Sequence, residues 1–147
     1  MEAVIFIGIQ GAGKSTFFKQ KFADTHVRIN RDMLKTKHRE KLLLAACLEG
    51  KQPFVIDKTN ATREERAVYI EAAKTRGFRV VGYYFGSSFK EALARNNQRE
   101  GKAVVPEKAL LGFLGKLKKP SFAEGFDELF YVRINENSFF VVTECND

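Results

Sequence analysis

Cysteine is scarce in this chain: 147 residues include two, Cys47 and Cys145. They stand far apart and at no metal-ligand spacing, and two thiols cannot supply the dense cross-linking of a small secreted scaffold. Both read as packing residues, in keeping with a reducing, cytoplasmic setting. Long apolar runs are missing as well. No stretch approaches the roughly 20 residues that a membrane-spanning helix needs, so no membrane partner is expected. The opening residues, Met1-Glu2-Ala3-Val4-Ile5-Phe6-Ile7, lack the basic flank of a secretory signal and read as a first strand. Repeats, low-complexity tracts and linker-like segments are also absent, and the length suits one domain, residues 1–147.

What the chain has in excess is positive charge. Twenty-five lysines and arginines stand against 18 acids, a net charge of +7. Such a balance favours acidic partners such as nucleotides or nucleic acid, although solubility alone would also account for it.

Short apolar runs alternate with longer amphipathic stretches. Strands are predicted at 3–7, 27–30, 54–57, 79–85 and 129–133, and helices at 14–22, 34–49, 63–76, 89–97 and 107–116. Strands separated by helices predict an α/β fold: a three-layer sandwich with a central, mostly parallel sheet and helices on both faces. Thr62 with Glu65, and Ser88 with Glu91, have the spacing of capping boxes. Gly50 and Gly77 stand where helices end. In the helix at 63–76, Ala67, Val68, Ile70 and Ala73 are expected in the core. Asn135-Glu136-Asn137-Ser138 reads as a turn inside a closing hairpin at about 129–143.

The sharpest motif is Gly8-Ile9-Gln10-Gly11-Ala12-Gly13-Lys14-Ser15, which satisfies G-x-x-x-x-G-K-[ST] between a predicted strand and a predicted helix. Glycines let the backbone turn its N–H groups onto phosphate oxygens, and the helix that follows adds its positive end. Lys14 can reach the β and γ phosphates, and the Ser15 hydroxyl can join a magnesium shell. ATP and Mg2+ are therefore the expected cofactors. A P-loop, though, says nothing of what receives the phosphoryl group.

Further polar clusters fall at or after strand ends, where an open α/β sheet gathers its site. Asp32, in Asn30-Arg31-Asp32, could orient an attacking hydroxyl and take its proton late; aspartate also suits a helix N-cap. Asp57, ending an apolar strand and followed by Lys58-Thr59-Asn60, has the placement of an acid that helps hold magnesium; it would equally suit a turn. Arg95 and Arg99, one helical turn apart, could close over the transferring phosphoryl group as a small lid at about 95–106, or simply face solvent. A basic tract (Arg31, Lys35, Lys37, Arg39 and Lys41, with Lys58, Arg63 and Arg66 beyond) could hold nucleic-acid phosphates or be solvated.

In this order the clusters resemble the kinase domain of 5′-polynucleotide kinases, both the phage type and the animal kinase-phosphatase type. The resemblance is carried by residues 8–16, Ile29-Asn30-Arg31-Asp32, Val55-Ile56-Asp57-Lys58-Thr59-Asn60, Arg95-Asn96-Asn97-Gln98-Arg99 with Val105-Pro106, and Pro120-Ser121-Phe122-Ala123-Glu124-Gly125-Phe126. It implies a P-loop kinase in which Gly11, Ala12, Gly13, Lys14, Ser15 and Thr16 hold the ATP phosphates, with Ser15 on magnesium. It implies that Asp32 is the general base on a 5′-hydroxyl end of DNA or RNA, with Arg31, Lys35 and Asp57 on the acceptor side. It makes Arg95 and Arg99 lid arginines and sets Val105 against the adenine. Lys35 departs from the pattern, since several members carry arginine there, and lysine meets a phosphate only as a point charge. No phosphatase or ligase module accompanies these blocks, so the chain reads as the kinase alone. Two other readings use the same residues: a small-molecule kinase for a sugar, nucleoside or antibiotic, and an ATP-binding switch that performs no transfer.

Overall fold

A computed structural model describes residues 1–86 and 106–146. The predicted helix at 89–97, the Ser88–Glu91 pair and most of the proposed lid lie outside the described residues. In chain order the elements are β1 (Glu2–Ile7), α1 (Lys14–Lys21), β2 (Val27–Ile29), α2 (Arg31–Leu34), α3 (Lys37–Glu49), β3 (Phe54–Ile56), α4 (Arg63–Thr75), β4 (Arg79–Phe85), α5 (Glu107–Lys116), a 3-10 turn (Phe122–Glu124), β5 (Glu128–Ile134) and β6 (Phe140–Glu144).

The described strands form one sheet in the order β2-β3-β1-β4-β5-β6, parallel except for β6. In β1, Ala3 through Ile7 are buried on both faces, as are all three residues of β3. Unbroken apolar runs of this kind belong to interior strands of a parallel sheet, which has no solvated side. Alternate residues of β1 feed two cores. Ala3, Ile5 and Ile7 meet Cys47 and Leu48 of α3 and Tyr69, Ile70 and Ala73 of α4. Val4 and Phe6 meet Phe17 and Phe18 of α1. The second core is largely aromatic: Phe6 lies 5.0 Å from Phe85, and Phe17 5.1 Å from Phe140 of β6, both edge-on. Such contacts, each worth roughly 0.5–1.5 kcal/mol beyond area burial, hold α1 against the sheet and so fix the helix that begins at the phosphate loop.

Three local predictions change. The helix expected at 34–49 is two helices. Asn30 caps α2 by accepting from Met33 N, Lys35 turns the chain at a φ of 75°, and Thr36 caps α3 by accepting from Arg39 N. Gly50 does end α3 as predicted, in the right-handed region, and the left-handed position falls to Lys51 at φ 56°. Val68 is 62% exposed rather than core. The Thr62 cap forms, but Glu65 Oε2 accepts from Ala61 N, one residue earlier than a capping box requires. At the chain's far end the predicted hairpin is present: Ile134 pairs with Phe140 across a turn in which Asn135 Oδ1 accepts from the N–H groups of Asn137 and Phe139.

Arg66 overturns its sequence reading. Placed in the basic tract, it is instead fully buried in α4. Its guanidinium grips both carboxylate oxygens of Glu124 at 2.8 and 3.2 Å and donates to the carbonyls of Asn60 and Lys118, each at 2.9 Å. It thereby ties the loop after β3 to the segment leading into β5. A planar fork is needed for all of these bonds together. Arg66→Ala should lower unfolding stability by about 3–5 kcal/mol, because the Glu124 carboxylate is left nearly buried without a partner. Arg66→Lys should recover only a minor part of that loss. Urea denaturation of both variants at neutral pH measures it, and equal stability of Arg66→Ala and the parent chain would refute the assignment.

Candidate active site

β1 delivers the chain to the loop at 8–13, whose start is fixed by Gly8 N donating to the carbonyl of Thr59 at 3.0 Å. Gly11 and Gly13 have φ values of 84° and 97°, in the left-handed region that favours glycine. A Cβ on Gly13 would also lie 3.0 Å from the Phe140 ring and 3.2 Å from Ile134. Gly13 opens α1 without a side-chain cap, so the first backbone N–H groups of the helix suit an anion. The Lys14 ammonium folds back over the loop, donating to the carbonyls of Gly8 at 2.7 Å and Ile9 at 3.0 Å.

Behind the loop sits Asp57, at the end of β3 and 1% exposed. Its Oδ2 accepts from Arg28 Nε at 2.8 Å and lies 3.4 Å from the Ser15 hydroxyl, while Arg28 Nη2 donates to Ser15 Oγ at 2.8 Å. The backbone of Asp57 is held too: its N–H donates to Ile29 O and its carbonyl accepts from Asn30 Nδ2 at 2.7 Å. The next residues continue the pattern. Thr59 Oγ1 accepts from Gln10 Nε2, and Asn60, at φ 46°, donates to the carbonyl of Phe6 at 2.7 Å.

Lys14 and Ser15 open onto a cleft of about 290 Å3 that is also lined by Asn30, Arg31, Asp32 and Lys58. Asp32 is the second residue of α2 and exposed; Asn30, not Asp32, is the cap of that helix. Arg31 Nε donates to Glu40 at 2.7 Å, and Lys58 donates to the same carboxylate at 3.1 Å and to the Tyr69 hydroxyl at 2.7 Å. Tyr69 in turn donates to Glu40. Glu40 is 5% exposed. Burial pushes its carboxyl up, but the hydrogen bonds from Tyr69, Arg31 and Lys58 outweigh it and hold the group below its ordinary range. Burial first, then the hydrogen bond to Glu40 and that group's charge, push the Tyr69 phenol well above its usual value, so it remains a donor at neutral pH.

Of the residues singled out in the sequence, Gly11, Lys14, Ser15, Arg31, Asp32 and Asp57 line this one cleft. Ala12 packs into the core beneath the loop and Thr16 is exposed on α1. Lys35 is exposed in the bend after α2 and is not among the lining residues. Arg95, Arg99 and Val105 lie outside the described residues. Arg28 and Glu40 escaped the sequence reading. The only signal for Arg28 was a charged residue between two apolar ones in a strand, and Glu40 looked like an ordinary helix-surface acid.

Comparison with known proteins agrees with this architecture. A bifunctional polynucleotide phosphatase/kinase of Schizosaccharomyces pombe is 30% identical over an alignment of 131 positions that covers 85% of this chain; the chain spans 32% of that relative's length. Among solved structures, Chaetomium thermophilum Kti12 in complex with ADP-AlF3 superposes with a TM-score of 0.64 at 14% identity, covering 92% of each chain. A sugar kinase from Janibacter sp. superposes with a TM-score of 0.58 at 16% identity, covering 89% of this chain and 85% of the other. The shared fold is that of a P-loop kinase-like domain. Residues 35–120, more than half of the sequence, match the AAA_33 family model, described as an AAA domain, and the chain belongs to that family.

Proposed function

We propose that the chain transfers the γ-phosphoryl group of ATP to the 5′-hydroxyl end of a polynucleotide. One observation carries this: a carboxylate with no cation bound to it among the described hydrogen bonds, Asp32, lines the same cleft as the phosphate-loop residues Lys14 and Ser15. The 30% identical relative whose name includes polynucleotide kinase supports the choice of acceptor.

The loop N–H groups and the start of α1 hold the triphosphate. Lys14 exchanges its two backbone carbonyls for β and γ phosphate oxygens. Asp32 accepts a hydrogen bond from the 5′-hydroxyl and points its oxygen at the γ phosphorus. As the O5′–P bond forms, the bond from phosphorus to the β–γ bridging oxygen breaks, ADP leaves, and the hydroxyl proton passes to Asp32 and then to solvent. Positioning and fixed charge do most of the work. The resemblance assigns the closing charges to Arg95 and Arg99.

Magnesium fits the donor set. The Ser15 hydroxyl and Asp57 carboxylate are hard oxygen ligands, and no cluster of three or more His, Cys, Asp or Glu side chains among the described residues offers a protein-only cage. That is the pattern of an ion shared between few side chains and substrate phosphates. Bound there, it would neutralise charge on the β and γ phosphates. No helix among the described residues is long and apolar enough to cross a membrane.

A transfer assay with γ-labelled ATP, comparing a 5′-hydroxyl oligonucleotide with small alcohols and sugars, tests the acceptor. The oligonucleotide should be labelled at its 5′ end; label on a sugar or nucleoside alone would overturn the proposal. Asp32→Asn should lower kcat by roughly 10²–10⁴-fold, the usual contribution of a positioned proton acceptor, and unchanged turnover would remove Asp32 from the chemistry. Arg28→Ala should destabilise the chain by about 3 kcal/mol, because Asp57 loses its charge partner. Millimolar magnesium without ATP should recover part of that loss, since the ion would take the place of the guanidinium between Ser15 and Asp57. Thermal unfolding with and without magnesium reads both effects, and a variant insensitive to magnesium would count against a metal at that pair.

A further inference from the structure

Beside the cleft, α3 and α4 enclose a second hollow of about 300 Å3. The two adjoin, because Arg31, Lys58 and Glu65 line both. Lys37, Lys41 and Leu44 follow one another along a single stripe of α3, and Glu65, Val68 and Tyr69 along a stripe of α4, at the i, i+3 and i+4 spacings that share a helix face. The hollow is therefore a trough between two helices, beside the reaction cleft, with Arg31, Lys58 and Glu65 at the boundary.

Its chemistry is mixed in a particular way. Arg31, Lys37, Lys41 and Lys58 bring four positive charges against the carboxylates of Glu40 and Glu65. Glu40 is already engaged by Arg31 and Lys58, which fixes where those two cations point. Lys37 and Lys41, exposed on α3, enter none of the described salt bridges. Between the cations lies an apolar strip: the flank of Leu44, the Tyr69 ring and Val68, which is 62% exposed. A solvated helix pair would not need that strip, and a site for a bare anion would not either.

We propose that this trough binds the nucleotides immediately 3′ to the reacting hydroxyl, and that it takes them single-stranded. This rests on the acceptor being a polynucleotide, as argued above. Backbone phosphates lie along Arg31, Lys58, Lys37 and Lys41, and an unpaired base covers Val68, Tyr69 and Leu44. A base inside a duplex is paired at its edge and stacked on both faces, and at a blunt end the complementary strand keeps the bases from lying along the strip. Side chains that meet a base through apolar surface alone do not read its identity, so the trough accepts any sequence.

The test combines equilibrium binding with kinetics on the whole chain. A short 3′-fluorescein oligothymidylate with a 5′-hydroxyl, and the same end in a blunt duplex, are titrated by anisotropy without ATP. The single strand should bind at least about tenfold tighter. Lys37→Ala together with Lys41→Ala should lower the slope of log affinity against log salt by about 1.4, at roughly 0.7 for each phosphate that is no longer neutralised. Val68→Asp should weaken binding at least fivefold, while Lys19→Ala, on the opposite face of the sheet, should leave it unchanged. In the transfer assay the α3 double variant and Val68→Asp should raise KM for the oligonucleotide. Equal affinity for the blunt duplex, or single-strand binding and KM indifferent to these substitutions, would overturn the trough while leaving a kinase that labels oligonucleotides intact. Binding that responds to the substitutions in a chain that labels no oligonucleotide would overturn the kinase proposal and, with it, the assignment of the trough to nucleotides beside a reacting hydroxyl.

Discussion

The turn that follows β3 is the constraint on which the site depends. Four consecutive residues there are held by partners from four directions. Asp57 bonds the end of β2 and Arg28, Lys58 bonds Glu40 of α3, the carbonyl of Thr59 holds the first glycine of the phosphate loop, and Asn60 bonds the end of β1 and receives Arg66. A phosphate loop made of glycines has little stiffness of its own, because glycine restricts the backbone least. Here the loop takes its shape from a rigid neighbour. The geometry that turns N–H groups toward a phosphate is thus specified partly by residues some fifty positions downstream of it, in the sense that Gln10 bonds Thr59 across 49 residues.

Charge is arranged by the same logic. The surplus of basic residues does not simply coat the surface. Apart from Lys14, which folds onto loop carbonyls, three cations at or beside the cleft are tied to buried acids: Arg28 to Asp57, and Arg31 and Lys58 to Glu40. A buried acid with a single partner would barely offset its own desolvation. Glu40 has three donors, which is why its carboxyl stays ionised despite burial. The outcome is a wall of positive groups whose directions are set before any phosphate arrives. Little reorganisation is then needed when charge develops in the cleft, which is where preorganised sites gain most over water. A long, unrestrained lysine such as Lys35 offers none of this and must lose rotamer freedom when it meets a ligand.

These differences explain what was legible in the sequence. The phosphate loop was, because here the backbone N–H groups turned onto one anion come from consecutive residues, and consecutive residues make a motif. The parallel sheet was, because strands buried on both faces lose all polar alternation, as in β1 and β3. The closing hairpin was, because Asn135 sits where its side chain can bond the backbone two and four residues on. The break at Lys35 was not, since no proline or glycine marks it and the sequence on either side favours helix. Val68 was misread because the buried face of α4 runs through Arg66, Tyr69, Ile70 and Ala73, which leaves Val68 outside it.

Long-range ion pairs were the least legible part, and for one physical reason. A charged side chain is stable inside a protein only when a partner meets it, and the partner's position is a property of the fold. Arg28 meets Asp57 across 29 residues, and Arg66 meets Glu124 across 58. In the linear sequence both arginines look like surface residues, and counting them toward a nucleic-acid footprint overstates it. The basic groups with no such obligation, Lys37 and Lys41 among them, are the ones whose charge is available to a ligand. The location of a phosphate-binding surface on this chain therefore follows less from where arginines and lysines are dense than from which of them the acids of the interior have left alone.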